Sequence, residues 1–179
     1  MKAIVPISAV LILLAGTAAA GSLTPCCQRP KLAAVELTEA LPVAVDQARV
    51  FLQHGRIVEK QRRDLYAPTC AFEVDALSDG SKRIEAQSFR VRRVQDLIDA
   101  VVHRGADDGG GRFVRVGMDD ASPSDLFLGY HFWFETPQRG DVMRMSCYGA
   151  YAAPQDARPP TLAEIREALG GFARVDVAG

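Results

Sequence analysis

One segment constrains the fold of this chain more than any other, the run LFLGYHFWFE over residues 126–135. Successive side chains of a β-strand point to opposite faces of a sheet. One face of this segment would carry Leu126, Leu128, Tyr130, Phe132 and Phe134. The other would carry Phe127, Gly129, His131 and Trp133. Because both faces are largely apolar, the segment predicts a central strand that is covered on both sides.

Several other segments alternate in the same way. Two short runs around His54-Gly55 predict a β-hairpin. Residues 70–75 place Cys70, Phe72 and Val74 on one face, and residues 142–151 place Met143, Met145 and Cys147 on one face. Residues 88–92 and 113–118 repeat the pattern. The chain therefore predicts a mainly antiparallel β fold, either a sandwich or a partly open barrel.

A single helix is clearly indicated, over residues 161–169. Thr161 and Glu164 have the spacing of a capping box, and Gly170-Gly171 ends the helix. A helix this short is marginal alone, so we expect it to dock on the sheet. Residues 60–65 and 95–103 are two further stretches that could form short helices, which leaves an α+β fold as the alternative.

The N-terminal residues 1–20 have the layout of a secretory signal peptide. Lys2 precedes an apolar run over residues 4–15, and small residues end at Ala20. That run is well short of the ~20 residues of a membrane-spanning helix. Thr17 stands where a lipoprotein would carry its acylated cysteine. We therefore expect cleavage after Ala20 and a periplasmic or secreted protein without a lipid anchor.

The remaining chain is long enough for one domain with a proper core. Residues 21–42 are expected to form an extended N-terminal arm. Residues 43–179 are expected to form a single β-rich domain that ends with the helix. The mature chain carries a net charge near −2, from 20 basic and 22 acidic residues once Lys2 is removed. This near-neutral charge does not predict the concentrated basic surface of a protein that binds nucleic acid. No later segment of the sequence is long enough to span a membrane.

Four cysteines occur in the chain. Cys70 and Cys147 lie on the inward faces of two predicted strands, and an exported protein should oxidise such a pair to a disulfide. Cys26 and Cys27 are adjacent, so they would be vicinal, intermolecular or partly reduced. Nothing resembles the Cys-x-x-Cys arrangement of redox proteins.

Catalytic, cofactor and metal motifs are not recognisable. The three histidines are scattered, and neither G-x-S-x-G nor H-E-x-x-H occurs. We therefore assign no catalytic residue, no cofactor and no metal. His131 and Trp133 are the residues that one core explains least, because they share the face opposite Tyr130 and Phe132, and they form the candidate binding surface.

The chain resembles a family of uncharacterised exported, periplasmic or lipoprotein-like proteins of Gram-negative bacteria with no assigned activity. The segments that carry the resemblance are residues 49–58, 66–74, 84, 89–94, 129–133, 142–147 and the C-terminal helix. The resemblance implies an exported location and a shared disulfide, and it carries over no catalytic residues.

These observations favour an exported, disulfide-linked, non-catalytic module that binds an envelope or secreted partner. The alternative is a periplasmic enzyme or metal-binding protein whose site the sequence does not reveal. An enzyme would need titratable side chains that converge in one pocket with perturbed pKa values.

Overall fold

The computed structural model describes residues 29–77, 80–100, 125–135 and 142–178. The elements in these residues are β1 Leu32–Leu37, β2 Leu41–Val43, β3 Arg49–Gln53, β4 Arg56–Val58, β5 Thr69–Val74, β6 Lys82–Ile84, β7 Ser88–Ala100, β8 Leu126–Phe134, β9 Val142–Tyr148, α1 Leu162–Leu169 and β10 Ala173–Val177. A 3-10 turn over Lys60–Arg62 follows β4.

Eight of these strands form one antiparallel sheet in the order β10-β1-β7-β8-β9-β5-β3-β4. Strands β2 and β6 pair separately. The predicted central strand is confirmed, because β8 pairs with β7 along one edge and with β9 along the other. The predicted hairpin is confirmed as β3–β4. The fold is mainly β with a C-terminal helix, as the alternation predicts.

The sheet curls into a half-barrel around its helix. Helix α1 contacts β10 at one edge of the sheet and β3 and β5 near the other. A flat sheet would hold these strands too far apart for one short helix, so the sheet must bend. Ile165, Ala168 and Leu169 of the helix enter the main core with Phe72, Phe132, Phe134 and Met145. Of the two expected arrangements, the partly open barrel is the nearer description.

The helix begins at the residue that the capping box predicts. The hydroxyl of Thr161 accepts from the Glu164 backbone N–H, and the Glu164 carboxylate accepts from the Thr161 backbone N–H at 2.7 Å. A hydrogen bond from Arg158 is the largest cause that lowers the pKa of Glu164, to about 2. The ionised carboxylate lies in the first turn, where it also complements the helix dipole.

The prediction of an N-terminal arm over residues 21–42 is wrong from Leu32 onward. Strand β1 lies inside the sheet between β7 and β10. A register shift between Leu32 and Ala34 leaves two residues between the first two buried side chains, Leu32 and Val35, where strict alternation would leave one. This shift interrupts the two-residue alternation that identifies a strand in the sequence.

The helical alternative for residues 95–103 is also wrong for residues 95–100, which continue β7 opposite β8. Leu97 is buried whereas Ile98 is 73% exposed, which is the alternation of a strand. Residues 60–65 form only the 3-10 turn. The predicted signal peptide, Cys26, Cys27, His103 and the predicted strand over residues 113–118 lie outside the described residues.

Candidate functional site

The candidate site lies on the face of the sheet opposite α1, which we call the outer face. Residues of five neighbouring strands stand side by side there, because the pairing register places each beside the next. We call this set the arginine row. In sheet order its members are Arg49, Glu73, Arg144, Trp133 and Arg93. Strands are about 4.8 Å apart, so the row crosses roughly 19 Å of the sheet.

Glu73 is the buried acid of the row, with a relative exposure of 3%. Its Oε2 atom accepts from Arg144 Nη2 at 2.8 Å and lies 3.1 Å from Arg49 Nε. Burial acts to raise the pKa of Glu73, but the hydrogen bonds from Arg144 and Ser146 and the charge of Arg49 outweigh it, so the pKa lies below its ordinary value. The carboxylate therefore stays ionised at neutral pH.

A hydrogen-bonded chain leads from Glu73 to His131. The Ser146 hydroxyl donates to Glu73 Oε1, and His131 Nδ1 lies 2.7 Å from Ser146 Oγ. An ionised carboxylate only accepts hydrogen bonds, so the serine proton points to Glu73 and the serine oxygen accepts from His131 Nδ1–H. Burial, reinforced by the charge of Arg144, lowers the pKa of His131. The imidazole is therefore neutral at pH 7, and its unprotonated Nε2 atom can accept a proton or a hydrogen bond.

The order of this chain differs from that of a serine hydrolase. In a hydrolase the histidine lies between the acid and the serine. Here Ser146 lies between Glu73 and His131, is fully buried, and gives its proton to the acid. Ser146 therefore orients His131 and is not placed to act as a nucleophile.

Trp133 is half-buried and held by three neighbours. The guanidinium carbons of Arg144 and Arg93 lie 4.7 and 5.1 Å from the centre of a Trp133 ring. The indole N–H donates to Gln95 Oε1 at 3.0 Å. Cation–π contacts of this kind contribute about 0.5–2 kcal/mol each. The ring is thus fixed in orientation while part of it stays exposed.

The remainder of the outer face is closed by apolar packing. Leu97, Phe127, Tyr148 and Tyr151 form a second buried cluster beside the main core. Gly129 lies in the same region. Only glycine fits at this position, since a Cβ atom would stand 2.1 Å from the carbonyl oxygen of Cys147. Arg63 covers Phe51, with its guanidinium carbon 4.4 Å from the ring centre. His131, Trp133, Gln95 and Arg93 are left as the partly open region of the site.

A cleft of about 540 Å³ lies beside the row near the β3–β4 edge. Its lining includes Arg49, Phe51, Ile57, Val58 and Lys60. Arg49 thus belongs to both the cleft and the arginine row. The cleft is lined by few ionisable groups and contains neither His131 nor Trp133.

The predicted disulfide is confirmed. Cys70 and Cys147 lie directly opposite each other on β5 and β9, with an S–S distance of 2.06 Å. Both are buried on the core face, as the alternation predicts. The bond lies directly behind the outer-face site and joins the two strands that carry Glu73 and Ser146.

The structure brings His131 and Trp133 together on one face, as their spacing predicts. It adds Glu73, Arg144 and Ser146, which the sequence analysis did not assign to a site. Alternation puts each of these three on the outer face, but the register between β5, β8 and β9 is needed to make them neighbours. His54 lies elsewhere, in the β3–β4 turn beside Glu167. Within the described residues, no group of three or more side chains has the composition of a metal site.

The fold and the site together define a disulfide-linked β half-barrel with an arginine-rich outer face. Comparison with protein-family models, with curated proteins and with solved structures finds no match to this chain.

Proposed function

We propose that the protein is an exported, non-catalytic module that binds an envelope or secreted protein through its outer face. The observation that carries this proposal is Trp133, which is partly exposed and lies beside two arginines. Tryptophan and arginine are the residue types most enriched among the side chains that dominate binding energy in protein interfaces. Their fixed orientation lowers the entropy that a partner must overcome on binding.

The exported location has separate support. The disulfide is compatible with an oxidising compartment, where such bonds form and persist. The layout of residues 1–20 supports cleavage after Ala20, and the resemblance to exported proteins of Gram-negative bacteria agrees with it. In the described part of the chain, no helix has the length and apolar character that crossing a bilayer requires.

The binding proposal is tested by capture from periplasmic extract and solubilised membranes of the host. The immobilised protein should retain one or more envelope proteins, and Trp133→Ala should lose most of that retention. Tyr66→Ala is the matched control, because Tyr66 is an exposed aromatic residue outside the arginine row. Equal retention by the wild-type protein and by folded Trp133→Ala would contradict the proposal.

The second candidate function is that of a periplasmic enzyme. One observation favours it, the series of hydrogen bonds that links Glu73, Ser146 and His131. These hydrogen bonds hold a neutral imidazole whose Nε2 atom has the character of a general base. A hydrolase screen would detect turnover that His131→Gln abolishes while Tyr66→Ala leaves it intact. Turnover that survives His131→Gln would exclude His131 as the general base.

A further inference from the structure

The arginine row concentrates positive charge in a chain that is close to neutral. Its members carry three guanidinium groups and one carboxylate, whereas the formal net charge of the whole chain is −1. The carboxylate is 4% exposed at its side chain, so it contributes little to the outward surface. A partner that approaches the row therefore meets arginine side chains and the exposed part of Trp133.

Within the part of the chain that the structure describes, the arginines retain hydrogen-bond donors without an acceptor. Arg144 donates through Nη2 to Glu73, but its buried Nε–H has no acceptor among the described residues. Arg93 is exposed, and its Nη2 atom donates a long hydrogen bond of 3.3 Å to Gln95 Oε1. A buried donor without an acceptor destabilises the folded protein. Because the Arg144 Nε–H is buried, the donors that a partner can reach are those of the exposed Arg93 and the partly exposed Arg49.

We propose that the arginine row binds the carboxylates of an acidic segment of a protein partner. This inference rests on the proposed binding function and specifies the chemistry of the partner. The guanidinium fork matches a carboxylate with two parallel hydrogen bonds, which makes arginine the preferred residue for this recognition. The exposed part of Trp133 and the Nε2 acceptor of His131 then contact the backbone or a donor side chain of the same segment.

The depth of the row favours an acidic peptide over an anionic lipid surface. The Arg144 side chain is only 16% exposed and stacks on the Trp133 ring, whereas the Arg49 side chain is 39% exposed. A carboxylate on a flexible side chain reaches a recessed guanidinium more readily than a headgroup held in the plane of a bilayer. Anionic vesicles therefore form the alternative arm of the test.

Trp133 supplies a direct readout because it is the single tryptophan of the chain. Titration of the purified protein with hexaglutamate should change the intensity or wavelength of its fluorescence in a saturable manner. Hexaglutamine should leave the fluorescence unchanged. Added sodium chloride should weaken the binding, because salt screens exposed charges.

Two variants assign the binding to the row. Arg93→Gln should weaken hexaglutamate binding about two- to fivefold, the contribution of one partly exposed ion pair. Arg93 is exposed and forms no ion pair within the described residues, so this variant should fold. Arg166→Gln on the exposed side of α1, across the molecule, is the matched control and should bind like the wild-type protein.

The outcomes separate this inference from the binding function on which it rests. The proposal of an acidic partner segment is overturned if hexaglutamate gives no saturable response. It is also overturned if Arg93→Gln leaves the response unchanged. A response to phosphatidylglycerol vesicles without one to hexaglutamate overturns it as well. If an envelope protein is still captured in a Trp133-dependent manner, the binding function stands and only the acidic chemistry fails.

Discussion

The backbones of Gly55 and Gly170 are in contact and join the edge of the sheet to the end of its helix. Gly55 lies in the β3–β4 turn with a φ of 65°, and Gly170 follows α1 with a φ of 56°. The Gly55 N–H donates to the carbonyl oxygen of Ala168 at 3.1 Å. A Cβ atom on Gly170 would stand 2.3 Å from the Cα atom of Gly55. This close approach of the helix end to the β3–β4 turn therefore requires residues without side chains at both positions.

Gly170→Ala should lower the free energy of unfolding by about 2–4 kcal/mol, because the new methyl group adds both backbone strain and overlap with Gly55. Gly171→Ala is the matched control. Its Cβ atom would meet nothing within 4 Å, so the change should stay within about 0.5 kcal/mol. Urea denaturation of the two variants measures both values. Similar stabilities would show that the turn and the helix end are not held together as described.

Replacing Cys70 and Cys147 with alanine should lower the free energy of unfolding by about 4 kcal/mol. The disulfide spans 77 residues of sequence, and chain entropy predicts a stabilisation of that size for such a loop. Denaturation with and without a reducing agent measures the effect. The double variant should be insensitive to the reductant, and equal stabilities of oxidised and reduced wild-type protein would contradict the prediction.

His131 should make the protein less stable in mild acid. Burial and the charge of Arg144 lower its pKa below the ordinary value of 6.5, so the unfolded chain binds a proton more readily than the folded protein does. The contribution is complete above pH 6.5 and is lost as pH falls through the lower folded pKa. Denaturation at pH 7.5, 6.5 and 5.5 should show a smaller loss for His131→Gln than for the wild-type protein. Identical slopes for the two proteins would rule out this role.

The mature protein should begin at Gly21, because Ala18 and Ala20 meet the small-residue requirement of signal cleavage. Intact mass and N-terminal sequencing of protein from a periplasmic extract or culture medium measure this directly. Ala20→Arg should block processing at this position. Recovery of the chain with Met1 retained, or with an acyl group on a cysteine, would refute the prediction.

Much of the fold was predictable because alternation survives in the strands that form the core. Residues 126–135 identify the central strand, and Cys70 and Cys147 identify two others and their cross-link. Strand β1 escaped prediction because its register shift interrupts the alternation. The second half of strand β7 resembled a helix because its adjacent residues Leu97 and Ile98 are both apolar. In the structure Leu97 packs in the outer-face cluster, whereas Ile98 is exposed.

The site was predictable only in part, since its members come from five strands. Spacing alone placed His131 and Trp133 on one face. The alternation of residues 70–75 predicts that Glu73 points to solvent. In the structure Glu73 is buried, and its ion pairs with Arg49 and Arg144 compensate its charge. The register between strands that are distant in sequence decides which side chains meet, and no local pattern contains that register.

The pairing of β1 with β10 constrains the order in which the molecule can assemble. Leu32 lies opposite Val177, so the first and last described strands are neighbours in the sheet. Contacts between residues so far apart in sequence form slowly, because a long loop must close before any interaction repays its entropy. The edge of β1 stays open until the final strand arrives. During synthesis from the N-terminus, β1 would thus lack one of its two neighbours until the last residues of the chain have emerged.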